Sequence, residues 1–519
     1  MEPVHAKMQQ AVALHQQGQL AQARILYEEV LNVQPRHFDA LHYLGVIATQ
    51  TNDHQGAVEL IGKAIEINPD DATAYNNRGL ALQALLQLDA ALASYDKAIA
   101  IQPAYAEAYY NRGNVLQGLK QLHAALASYD KAIAIKREYT KAYSNRGGLL
   151  QELKQLDAAI ASYDKAIAIK PDFAEAYYNR GNAFQELLQI DVAIASYDKA
   201  IAIRPDYAEA HWNKSLALLL AEDFDLGWPE HEWRWKNEKC SAFKEKRNFN
   251  QPLWLGEEPL IGKAILLHSE QGFGDTIQFC RYVKLVAALG ARVILEVQKP
   301  LLSLLANLEG VMQLVGKGSA LPAFDYHCPL LSLPLACKTN IGTIPVSTKY
   351  LKADAAKITQ WQVRLGTKTK PRIGLVWSGN ALHVNDRNRS IILSDWIKEL
   401  PAGFQYVSLQ KEVRDADKHI LQSRTDILNF ENALNDFSDT AALCELMDIV
   451  ISVDTSVAHL AGALGKPTFV LLPYFPDWRW LLDRSDSPWY PSVKLFRQSS
   501  MGEWDSVFRN VNKEIALHH

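Results

Sequence analysis

The stretch ISVDTSVAHLAGALGKPT, residues 451–468, runs an apolar strand into Asp454, Thr455 and Ser456, then into a helix that carries His459 one turn later. Gly465 and Pro467 are ordinary stop signals, so the helix spans 455–464, with Val457, Leu460, Ala463 and Leu464 as its buried stripe. Thr455 and His459 are four apart and share a face that leans toward the helix N-terminus. There, unpaired N–H groups and the helix dipole attract an anion, phosphate being the natural guest. One such interaction supplies about 0.3 to 2 kcal/mol, so further donors are needed, and Lys411 and Arg389 are the candidates. The alternative is a capped core helix with a satisfied histidine.

Three other stretches carry chemistry-bearing residues just after strands. In HSEQGFGDTIQF, Gly272 and Gly274 follow a strand and Asp275 opens a helix. The glycines make room for a ligand or for a tight turn, and Asp275 is either ligand-facing or a plain cap. Ile277 occupies the third glycine position of the dinucleotide fingerprint, which argues against that cofactor. WSGNALHVNDRNRSI places Ser378, Gly379, Asn380, Arg387 and Arg389 after another strand, and arginine forks suit phosphate oxygens. SLQKE adds Gln410 and Lys411 at a further strand end.

The elements that must position these residues are short apolar runs alternating with helical stretches, the pattern of doubly wound parallel sheets. Strands are expected at 264–270, 291–298, 372–379, 405–410, 448–454 and 468–473, and the polar stretch ADAAKITQWQVRLGTKTKP divides them into two sets. Two Rossmann-like lobes with a cleft follow, since ligands in such sheets sit beyond the carboxyl ends of the strands.

The N-terminal half is different. AYNNRG, AYYNRG, AYSNRG and AYYNRG begin at residues 74, 108, 142 and 176, AHWNKS follows at 210, and the spacing is 34 throughout. ASYDKAIAI recurs at 93, 127, 161 and 195, so each unit is two amphipathic helices. In the unit 72–105, Tyr75, Gly79, Leu82, Ala91, Tyr95, Ala98 and Pro103 resemble the tetratricopeptide repeat. Arg137 departs from its proline, and Arg78, Arg112, Arg146 and Arg180 stand where an apolar residue is usual. Six units span 4–207, a divergent seventh helix pair follows, and stacking buries a continuous core, leaving a curved solenoid with a groove. Asn77, Asn111, Asn145, Asn179 and Asn213 fall at one equivalent position, where amides that both donate and accept could hold an extended chain. The column is similar to the asparagine ladder with which O-GlcNAc transferase holds protein acceptors; copying by duplication is the alternative. WPEHEWRWKNEK, in which Glu230, Glu232 and Glu238 offset the basic residues, reads as an end cap before a linker.

GFGDTIQF and SVDTSVAHLAGALGKPT together resemble the heptosyltransferase-like glycosyltransferases of GT-B architecture, over residues 262–519. The resemblance implies Asp275 as the base on the acceptor hydroxyl and places Asp454, Thr455 and His459 against the diphosphate, with Ser456 where glycine is more usual. Solenoid plus GT-B halves also resembles O-GlcNAc transferase, which implies that Gln410 and Lys411 contact the nucleotide sugar. The implied closing helix, EWDSVFRNVNKEIAL, crosses back to the first lobe. Trp478, Trp480, Trp489 and Tyr490 form either a stacking wall or a packed core.

Composition bounds the rest. Fifty-four Lys and Arg against 58 Asp and Glu give a net charge of −4, which argues against nucleic acid or an anionic membrane as partner. Five cysteines without any C-x-x-C pair suggest neither a disulfide framework nor a thiolate metal site. The N-terminus lacks a signal core and no apolar run approaches the roughly 20 residues of a membrane span, so a cytoplasmic protein is expected. The expectation is therefore an α solenoid over 1–221, a cap and linker over 222–261, and two GT-B lobes over 262–365 and 366–519. The expected activity is metal-independent, cofactor-free, inverting sugar transfer from a nucleoside diphosphate sugar to a protein acceptor in the repeat groove. A non-catalytic scaffold and a glycan-directed transferase are the alternatives.

Overall fold

The structure is a computed structural model that describes residues 2–383 and 385–517. The chain forms two compact units, one ending at Pro205 and the other beginning at Asp206.

The first unit is six helix pairs: Glu2–Gln16 with Leu20–Val33, Phe38–Gln50 with His54–Ile67, Ala72–Ala84 with Leu88–Ile101, Ala106–Gly118 with Leu122–Ile135, Thr140–Glu152 with Leu156–Ile169, and Ala174–Glu186 with Ile190–Ile203. Four of the six pairs close by the same backbone approach. A Cβ on Gly79, Gly113, Gly147 or Gly181 would stand 2.5 to 2.6 Å from the ring of Tyr95, Tyr129, Tyr163 or Tyr197, so only glycine lets the partner helix seat its tyrosine. Those rings are buried, and the Tyr95 hydroxyl donates to Gln83 Oε1 at 3.0 Å, the Tyr129 hydroxyl to Gln117 Oε1 at 3.0 Å. The turn inside each pair needs a left-handed residue: Gly18, Asn52, Leu86, Lys120, Lys154 and Leu188 all have positive φ.

The arginines that break the repeat pattern bridge neighbouring helices. Arg112 donates from Nε to Asp96 Oδ1 (2.7 Å) and from Nη1 to Ser128 Oγ (2.8 Å), and Arg146 does the same with Asp130 and Ser162. Arg180 reaches Asp164 and Ser196 likewise. Arg78 is the exception, because Gly62 stands where the aspartate would be, and its Nε is buried without a partner.

The second unit opens with the helix pair Ala208–Leu220 and Phe224–His231, then builds two parallel sheets. The first has the order β3-β2-β1-β4, from β1 (Ala264–His268), β2 (Arg292–Val297), β3 (Val311–Gly316) and β4 (Tyr326–Pro329). The second has the order β10-β9-β8-β5-β6-β7, from β5 (Arg372–Val376), β6 (Gln405–Ser408), β7 (Ile427–Asn429), β8 (Ile449–Val453), β9 (Thr468–Leu472) and β10 (Val493–Arg497). Counted from β5, this is the 3-2-1-4-5-6 order of a doubly wound sheet, with its switch point between β5 and β8. The central strands β1, β5, β8 and β9 are buried along their whole length, as parallel strands covered on both faces must be.

One expectation needs correction. The closing helix Asp505–Leu517 does not return to the first sheet: Val507, Phe508, Val511 and Ile515 pack into the core of the second, with Ile373, Trp396 and Phe496. Its apolar stripe is satisfied beside β10, leaving nothing to draw it across. Among the described residues no helix is long and apolar enough to cross a membrane.

Candidate functional site

The two most telling motifs lie 180 residues apart in sequence and meet in space. Helix Phe273–Phe279, which follows β1, packs against helix Ser456–Ala463, which follows β8. The approach is close: a Cβ on Gly274 would sit 2.9 Å from His459 Cδ2 and 3.5 Å from Ser456 Cα. Gly274 therefore makes room for the facing helix start. Both helices begin at strand carboxyl ends next to a switch point, where such sheets bind ligands.

The helix start at 454–456 is half-buried and only partly satisfied. Its first intrahelical bond is Ala458 N–H to Thr455 O at 3.1 Å, so the N–H groups of Ser456 and Val457 precede the helical ladder. Thr455 does not cap them; its hydroxyl lies 3.1 Å from Ser452 Oγ, turned back toward the strand. Arg389 lies flat on the Gly379 backbone, where a Cβ would be 2.6 Å from Nη2, and donates from Nη1 to Asp454 O at 2.9 Å. Its Nε is buried with no partner, as is Ser378 Oγ, two residues past the end of β5.

His459 is held in the interior. The ring is buried, stacked on Trp480 at 5.1 Å and 17°, with Nδ1 3.0 Å from Tyr490 Oη and Nε2 4.0 Å from Asp454 Oδ1. Burial, and then the neighbouring Arg479, push its pKa down to about 3, so the imidazole is neutral and lends an anion no positive charge. Burial, with Asp477 nearby, pushes the Asp454 carboxyl up to about 6. Trp478, Trp480, Trp489 and Tyr490 are all buried, so the aromatic knot is core rather than an exposed wall.

Asp275 is a cap and an ion-pair partner together. Its Oδ2 accepts the Gly272 N–H at 2.9 Å, and its Oδ1 accepts from Arg479 Nη2. Arg479 also donates from Nη1 to Asp477 Oδ1 at 2.8 Å. Sequence reasoning noted the tryptophans of PDWRW and passed over Asp477 and Arg479; an arginine between two buried tryptophans after a strand end was the available signal.

The remaining strand-end residues have local duties. Gln410 is buried, donating to Ser378 O (2.9 Å) and Glu412 O (3.2 Å), which ties the ends of β5 and β6 together. Lys411 is exposed and directs its ammonium at the carbonyls of Leu434 and Asn435. Asn380 is exposed and accepts the Leu382 N–H at 2.9 Å; Arg387 is exposed on the same loop. Asp417 accepts from Trp377 Nε1 at 2.9 Å, and Asp415, two residues before it, pairs with Lys418, so the two carboxylates do not converge.

A second cluster, also missed, stands under the glycine loop. Arg234 is fully buried and grips Glu270, donating from Nη2 to Oε1 at 3.0 Å, while Nη1 donates to Glu232 at 2.6 Å and Nη2 to Ser332 Oγ at 2.7 Å. Burial pushes the Glu270 carboxyl up to about 7 against the pull of Arg234. Glu270 lies two residues past the end of β1 and two before Gly272, so this network fixes where the loop starts.

Three members of the asparagine column bond to the preceding repeat. Asn77 Nδ2 lies 3.0 Å from His42 Nε2, and Asn111 Nδ2 donates to Asn76 Oδ1 at 3.0 Å. Asn145 commits both N–H groups, to Tyr110 Oη at 3.1 Å and Asn114 Oδ1 at 2.9 Å. Asn179 is half-buried at the same position of its helix, and Asn213 lies on Ala208–Leu220 of the second unit.

Comparison with known proteins bears on the repeats. Family models described as TPR repeat match residues 47–85, 87–120 and 149–187, and models of the tetratricopeptide repeat match 106–139 and 174–207. Protein FlbA of Caulobacter vibrioides is 26% identical over 314 residues, 55% of this chain and 51% of that protein, so the chain spans about half the length of this curated relative. Among solved structures, YrrB, described as a TPR protein with an unusual peptide-binding site, is 24% identical and covers 37% of this chain and 98% of its own, with a TM-score of 0.32. PilF of Pseudomonas aeruginosa is 19% identical, covering 41% of this chain and 97% of its own, with a TM-score of 0.38. The helix pairs that these models cover, within residues 47–207, are tetratricopeptide repeats.

Proposed function

We propose that the second unit is a GT-B glycosyltransferase that transfers sugar from a nucleoside diphosphate sugar, with inversion and without a metal, to a protein recruited by the repeats. One observation carries the reading: the glycine loop after β1 and the helix start after β8 meet at the switch points of two parallel sheets, with Gly274 against His459. The N–H groups of Ser456 and Val457 and the guanidinium of Arg389 receive the diphosphate, in place of a metal. The bond between the anomeric carbon and the diphosphate oxygen breaks as the acceptor oxygen attacks, and Asp275 takes the acceptor's proton. Lys411 and Gln410 are both engaged in the protein, so neither is assigned a contact with the donor. Repeats of this type are protein-interaction modules; the acceptor is assigned to them as a whole rather than to the amides of Asn77, Asn111 and Asn145, which serve the fold.

The test is transfer or hydrolysis of labelled nucleotide sugars by the full chain, with and without EDTA. Turnover insensitive to EDTA and abolished by Asp275→Asn is expected; activity that vanishes in EDTA and returns with manganese contradicts the mechanism. The engagement of both Asp275 oxygens favours a second reading, a scaffold that binds nucleotide without turnover. It predicts a melting temperature raised by nucleoside diphosphates with no sugar released from any donor.

A further inference from the structure

Arg479 follows β9 and reaches the Asp275 carboxylate, which follows β1 of the other sheet. Its side chain is buried, its guanidinium lies 4.4 Å over the Trp478 ring, and its Nε has no partner. Nη1 is anchored on Asp477 at 2.8 Å, while Nη2 holds Asp275. Burial opposes ionisation of Asp477, yet the Arg479 guanidinium and a backbone N–H hold its carboxyl below the usual range, so the anchor stays charged. The pair with Asp275 closes the only oxygen that Gly272 leaves open on that carboxylate. A carboxylate clasped in this way is poorly placed to accept a proton from an alcohol. The same guanidinium fork fits a phosphate as well as it fits a carboxylate, and a diphosphate brings more charge than one aspartate. Arg389, with a second orphan Nε, lies on the Asp454 side of the same helix start.

We infer that Arg479 is a latch on Asp275: pivoting on Asp477, it leaves the carboxylate for the oxygens of an incoming diphosphate and so frees Asp275 only when donor is bound. This deepens the transferase reading and rests on it. The latch makes Asp275 and the ligand competitors for one guanidinium. Removing the aspartate charge must therefore strengthen diphosphate binding, and must do so through Arg479.

The experiment is calorimetric titration of inorganic pyrophosphate, and of UDP, GDP, ADP and CDP, into the full chain as wild type, Asp275→Asn, Arg479→Lys and the double variant. Ligand-free melting curves check folding, and lysine is chosen because it keeps the buried charge that Asp275 and Asp477 require. Asp275→Asn is expected to tighten pyrophosphate binding at least about fivefold, a typical coupling between linked sites. The gain should disappear in the Arg479→Lys background, where the fork is lost. An unchanged affinity in Asp275→Asn overturns the latch, as does an equal gain in both backgrounds, which is a general charge effect. Binding by the wild type without this coupling removes the latch alone; no binding of any of these anions removes the transferase reading with it.

Discussion

At the residue scale, the candidate site is governed by burial. His459 has its pKa lowered by burial, so the native state binds fewer protons there than the unfolded chain; its contribution to stability is present above pH 6.5 and is lost as pH falls toward 3. Asp454 works in the opposite sense: its raised pKa makes the folded state favour the proton, so stability falls as pH climbs from about 4 through 6. Melting curves between pH 4.5 and 7.5 check both signs. His459→Gln should flatten the acid side of the profile, and Asp454→Asn should raise the melting temperature more at pH 7 than at pH 5. Arg234→Ala leaves Glu270 and Glu232 facing each other in a dry interior and should cost about 3–5 kcal/mol, measured by denaturant unfolding. Residue types and strand-end positions were readable at this scale for Asp275, Asp454 and Arg389. What one sequence hides is the partner: Arg479 and Asp275 are 204 positions apart, and Arg234 and Glu270 belong to different elements.

At the element scale, legibility follows burial just as closely. The expected strands became β1, β2, β5, β6, β8 and β9, while β3, β4, β7 and β10 were not foreseen, and those four are the edges of the two sheets. An edge strand is covered less completely, as the exposed Met312 and Gln313 of β3 show, so its sequence lacks the continuous apolar run of a central strand. The repeats were legible because 34-residue periodicity does not depend on any one run. Their glycines carry a prediction. Gly113→Ala places a methyl 2.6 Å from Tyr129 Cε1 and should cost about 1–3 kcal/mol, despite alanine's better helix propensity. The converse holds at Gly62, where a Cβ meets nothing within 4 Å. Gly62→Asp supplies the missing partner for Arg78 and should raise the melting temperature of the full chain in calorimetry, by a gain of about 0.5–1 kcal/mol.

At the scale of the whole molecule, a chain of tetratricopeptide repeats continues into a unit with two parallel sheets, in which the helix starts that follow β1 and β8 meet through Gly274 and His459. That contact sets a testable limit on the site. Gly274→Ala should push the two helix starts apart, at about 1–3 kcal/mol in stability, and should weaken nucleotide binding along with it, measured on the same preparation by melting and titration.

The most direct measurement is a crystal structure of the full chain soaked with a nucleoside diphosphate. Phosphate density within hydrogen-bond distance of the Ser456 and Val457 N–H groups and of Arg389 is the result the account requires. Density on another surface, or none at saturating nucleotide, contradicts it.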